Sequence, residues 1–172
     1  LDGLTAPSAR DRVLADIAVA FYELGMRSAA RDAYLILAAT AQEQYERWVA
    51  VINLMECAAA DGREPMFEHY RRELVDASLP VALACQYHYY VGQGYRLFGR
   101  NVQAEASLKR AIQLAEQHRI NEVLFRAEQS LEALRDGGVV IIANAPAPSP
   151  APEVERVADA VREMRELAGV AG

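Results

Sequence analysis

The sequence predicts an all-α chain: three consecutive helical hairpins closed by a further helix, then one more helix set apart near the C-terminal end. Three observations carry that expectation. Apolar residues recur at three- and four-residue spacing along most of the chain, the pattern of helices that bury one face. Gly25, Gly62 and Gly99 stand 37 residues apart, each where an apolar-periodic stretch stops and a left-handed backbone turn costs glycine least. Finally, Ala145 to Pro152 reads APAPSPAP, an alternation that favours an extended polyproline path and cannot pack a core.

Bulk properties narrow the possibilities further. At 172 residues and 52% hydrophobic composition the chain is long enough for a sizeable core. Its 24 acidic residues outnumber 18 Lys and Arg, for a net charge of -6, which argues against a surface that tracks nucleic-acid phosphates. Cys57 and Cys85 stand alone without a C-x-x-C pair, so buried reduced thiols are expected rather than a metal site or a disulfide framework. No apolar run is long enough for a membrane span and no signal-peptide layout opens the chain, so a cytoplasmic setting is the simplest expectation. The first residue is Leu1, and a native region upstream of it is expected.

In order, residues 1–10 form a polar lead. Residues 11–24 place Val13, Leu14, Ile17, Ala18, Phe21 and Leu24 on one helical face, with Asp11 as the cap. After Gly25, Ser28 to Ala41 turns Ala30, Ala33, Tyr34, Leu37 and Ala41 inward. Trp48 to Ala60 repeats the pattern with Val51, Leu54, Met55 and Ala58, but its partner helix carries Phe67 where the other hairpins have alanine, a bulk expected to push those two helices apart. Pro80 opens the fifth helix, where its missing N–H does no harm. Gly92 and Ala104 are placed for close backbone approach, with Tyr95 and Leu108 filling the space beside them. Gly94 is read as a second close-packing glycine. Asn121 to Arg135 supplies the closing helix through Val123, Leu124, Ala127, Leu131 and Leu134. The repeat domain thus spans 11–136 and a Gly/Pro/Ala linker spans 137–152, including the β-branched run Val139 to Ala143. Residues 153–172 hold an amphipathic helix with Val154, Val157, Val161, Met164 and Ala168 on its stripe. Sixteen residues with one apolar stripe are marginal alone, so this helix docks on the repeats, docks on another chain, or frays.

From His88 the order Val91, Gly92, Tyr95, Gly99, Ala104, Leu108 resembles the tetratricopeptide repeat, whose pattern runs W-x2-L-G-x2-Y, A-x3-F, P. His88 replaces the Trp and Glu116 the Pro. A second copy runs Leu14, Ile17, Ala18, Phe21, Gly25, Ala30, Tyr34, Leu37. The resemblance implies a solenoid of the bacterial tetratricopeptide type with a concave groove lined by the first helix of each pair. Positions before the turn glycines place Tyr22, Glu23, Val49, Ile52, Asn53, Glu56, Gln86, Tyr89, Tyr90, Gln93 and Arg96 in that groove, with Tyr89 as the leading aromatic anchor. The Lys and Asn clamp for a C-terminal carboxylate is absent, so chaperone-tail binding is not implied.

Catalytic signatures are lacking: there is no G-x-S-x-G elbow, and Gly92-Gln93-Gly94 falls within a helix rather than in a phosphate loop. The expectation is therefore a non-enzymatic scaffold without cofactor or metal, binding a peptide or protein segment. Two other readings stay open. One is a signal-sensing effector region of a bacterial transcription regulator, which residues 104–134 resemble; the other is self-association, a homodimer formed through residues 139–168.

Overall fold

The computed structural model describes residues 7–137 and 150–170. They form eight helices: α1 (Pro7–Glu23), α2 (Arg27–Thr40), α3 (Gln44–Ala60), α4 (Glu64–Val75), α5 (Val81–Leu97), α6 (Asn101–His118), α7 (Asn121–Arg135) and α8 (Pro152–Leu167). No strand occurs among the described residues. The run Val139 to Ala143 and most of the Pro-Ala linker lie outside them. The chain divides into two compact units, one containing residues up to Leu54 together with α8, the other running from Met55 through α7.

One turn geometry joins helices in both units. Gly25, Gly62 and Gly99 have φ of 75°, 69° and 69°, and each donates its N–H three residues back, to Tyr22, Ala59 and Arg96. The next residue donates five back: Met26 to Phe21, Arg63 to Ala58 and Arg100 to Tyr95, each at 2.8 Å. This is the Schellman pairing that satisfies the last carbonyls of a helix. Met26, Arg63 and Arg100 then start the following helices with φ/ψ of -81/59, -90/68 and -86/62. The α6–α7 turn uses the same geometry, with Arg119 at φ 57° in place of glycine and Ile120 donating to Ala115 at 2.9 Å.

In the first unit, α1 packs on α2 and α2 on α8. Ala30, Ala33, Tyr34, Leu37 and Ala41 are buried as the spacing requires, as are Leu14, Ala18 and Phe21 of α1. Val13 and Leu24, expected inward, are exposed instead. They fall on the edge of α1 away from this buried face, because α1 needs only its Leu14, Ala18 and Phe21 edge to cover α2. Asp11 does not cap its own helix, since α1 begins four residues earlier at Pro7. It is buried, and its carboxylate accepts the Gln42 backbone N–H at 3.1 Å, holding the turn after α2.

In the second unit, α6 packs on α5 and α7 on both. Gly92 meets Leu108 closely: a Cβ there would lie 2.7 Å from Leu108 Cγ and 3.2 Å from its backbone nitrogen. Ala104, Leu108, Ala111 and Ala115 of α6 are fully buried, and Val123, Ala127 and Leu131 of α7 close over the same core. Phe67, the bulk expected to disturb the second hairpin, is buried and turned toward α5. Its ring meets Tyr95 and Phe98 edge to face, at centroid distances of 5.4 and 5.3 Å. Gly94 makes the room, for a Cβ there would lie 2.6 Å from Phe67 Cζ. Cys57 and Cys85 are buried and are not joined in a disulfide.

Candidate interaction surfaces

On α5, residues three, four and seven apart face the same side, so Gln86, Tyr89, Tyr90, Gln93 and Arg96 form one helical edge. The structure uses two of them internally. Tyr89 is only 8% exposed and lies beneath the Arg126 guanidinium of α7, 4.6 Å from its ring centroid. The expected leading anchor is therefore covered, because α7 docks along that edge of α5. Gln93 Nε2 donates to Tyr89 Oη at 2.9 Å and to buried Ser130 Oγ at 2.6 Å, while Ser130 donates on to the Arg126 carbonyl at 2.8 Å. With both Nε2 hydrogens engaged, the Gln93 amide has its acceptor oxygen left to offer.

Tyr90 stays half-exposed beside this network. The Arg126 charge also lies 5.8 Å from its ring centroid. Burial raises its phenol pKa first, the negative charge of Glu56 raises it further, and Arg126 works the other way. Glu56, Tyr90, Gln93 and Arg126 thus share one neighbourhood of the second unit. Gln86 is exposed and Arg96 half-buried on the same α5 edge.

Of the expected groove residues in the first unit, Ile52 is 2% exposed and offers nothing to a partner. Val49, Asn53 and Tyr22 are half-buried and Glu23 is exposed. Asn53 Nδ2 donates to the Val49 carbonyl at 3.0 Å.

The opposite edge of α5 borders a cavity of about 360 Å³ lined by Arg71, Leu74, Tyr87, His88, Tyr95 and Ser107, among others. Tyr87 Oη donates to the Arg71 carbonyl at 3.2 Å, and Arg71 Nε pairs with Glu68 at 2.8 Å. Burial raises the Tyr87 and Tyr95 phenols. Burial also lowers the His88 imidazole, helped by the Arg110 charge, so His88 is held neutral.

A third surface lies on α8. Ala158 and Val161 are buried, and Arg165 Nη1 pairs with Asp32 of α2 at 3.1 Å. Asp32 is 3% exposed, a carboxylate among the buried apolar residues of α2. Reading residues one helix at a time missed this pair, although a lone Asp in AARDAYLILAA signals a cation waiting elsewhere. Arg126 and Ser130 were missed for the same reason.

No family model matches the sequence, and neither a curated protein nor a solved structure matches it significantly. The class rests on the fold: an all-α chain of tightly turned helices. No described helix is long and apolar enough to cross a membrane.

Proposed function

We propose that this chain is a helical-repeat interaction module of the tetratricopeptide type, a non-enzymatic scaffold that binds an extended or helical segment of another protein. The observation that carries the reading is the shared Schellman turn at Gly25, Gly62 and Gly99, 37 residues apart and followed each time by the same backbone conformation. Repeats of one hairpin geometry exist to extend a surface, and extended surfaces of this kind serve binding. The contact edge we assign is Gln86, Tyr90, Gln93 and Arg96 of α5, with Glu56 beside Tyr90. It offers one amphipathic aromatic, an amide acceptor and charges of both signs, the composition of an interface rim around an anchor.

Selection of peptides from a random display library on the full chain tests this. The expected outcome is an enriched peptide family whose binding weakens about tenfold, near 1.4 kcal/mol, with Tyr90→Ala, the cost of a mid-strength interface aromatic. Failure to enrich any family, or a family indifferent to Tyr90→Ala, Arg96→Glu and Glu56→Lys alike, would overturn the assignment.

A further inference from the structure

Helix α8 carries two apolar stripes where docking on α2 needs one. Val154, Ala158, Val161 and Arg165, at 4-3-4 spacing, make the first; Ala158 and Val161 are buried and Arg165 reaches Asp32. Val157, Ala160, Met164 and Leu167, at 3-4-3 spacing, make the second. Val157 is 42% exposed and Leu167 89% exposed. With Ile17 of α1, Val157, Ala160 and Met164 line an apolar groove of about 550 Å³ inside the first unit. Helix α1 adds a matching edge, since Val13, Ile17 and Leu24 share a helical face and Val13 and Leu24 are exposed. Two exposed stripes side by side form the kind of apolar patch that marks an association surface.

The charges beside the second stripe point to what covers it. Arg156 and Glu163 are seven residues apart, on the edge of α8 facing away from α2. If another α8 lies antiparallel on the stripe about a two-fold axis near Ala160, Val157 meets Met164 of the second copy. Arg156 then meets Glu163 of the second copy, and the symmetry makes each contact twice. A parallel pairing leaves the two Arg156/Glu163 edges on opposite sides of the seam, where Arg156 has no Glu163 of the second copy to meet. Ala160 at the centre allows the helices to approach closely. Arg156 already pairs with Glu153 at 3.1 Å, but both side chains are exposed, so that pair contributes little and can exchange.

We propose that a second copy of this chain docks on the α1–α8 face, α8 against α8 and antiparallel, giving a two-fold homodimer whose register is set by Arg156 and Glu163. This stands independently of the α5 binding edge, which none of these residues touches.

Light scattering on the full chain across the micromolar range, with surface charge reversals that leave both helix docking and folding intact, decides it. The expected result is twice the monomer mass for the natural sequence, and a dimer dissociation constant raised about tenfold by R156E or by E163R alone, since each places like charges across the seam twice. An equimolar mixture of the two single variants, and the R156E/E163R double variant, recover the dimer because opposite charges face again. Circular dichroism confirms that each variant is folded. A monomer at every concentration overturns the proposal. So does a dimer indifferent to both reversals, or one that the mixture fails to restore.

Discussion

Gly94→Ala is the most informative single change in the second unit. A methyl group there would sit 2.6 Å from Phe67 Cζ and 2.9 Å from Cδ2. Phe67 has nowhere to retreat, being fully buried and set edge-on between Tyr95 and Phe98. Overpacking a filled core costs about 1–3 kcal/mol, while Ala regains roughly 1 kcal/mol over Gly as a helix former. Because the overlap with the held Phe67 ring is severe, the upper half of that overpacking range applies and the net expectation is a loss of about 1–2 kcal/mol, read as a lower urea midpoint by far-ultraviolet circular dichroism. Phe67→Leu alone also costs stability, by leaving a void. Combined, the two changes offset each other, because the new methyl occupies space the ring gave up; the double variant should be about 1 kcal/mol more stable than the sum of the singles. Gly94→Ala that is neutral or stabilising, or strict additivity, would refute the notch.

Three other outcomes follow from the same contacts. Gly99→Ala meets no atom within 4 Å but must hold φ at 69°, so it should cost about 1 kcal/mol, whereas Arg119→Gly, relieving φ 57°, should stabilise by about 1 kcal/mol; opposite shifts in thermal midpoint check the pair. Arg165→Ala strands the buried Asp32 carboxylate and should cost about 2 kcal/mol, while Asp32→Asn on that background should recover part of it, both read by urea unfolding. His88 is held neutral in the fold, so the unfolded chain binds the extra proton first. Stability should therefore fall as pH drops through about 6.5, the ordinary imidazole range, and His88→Gln should flatten that part of the pH profile.

Local pattern was enough to find what local forces decide. The inward set of α2 and the three glycine turns were visible, because helical periodicity and left-handed backbone leave marks within a few residues; the close approach at Gly92 was expected against Ala104, whereas Leu108 is the residue that meets it. Partners far apart in sequence left no such mark. Phe67 looked like a defect because its receptor, Gly94, is 27 residues away. Asp11 looked like a cap for its own helix and instead serves Gln42. On α8 the spacing blended two stripes into one, since Val154 and Val161 turn to a neighbour and Val157 and Met164 border the groove. Tyr89 was expected as the leading anchor of the groove, and only the placement of Arg126, far away in sequence, shows that α7 covers it.

The binding edge itself is tested most directly by nuclear magnetic resonance, titrating the isotope-labelled full chain with a selected peptide and mapping the amides that shift. The account predicts the largest changes at Glu56, Gln86, Tyr90, Gln93 and Arg96. Changes confined to α1 and α8, or to the rim of the Tyr87–His88 cavity, would contradict it.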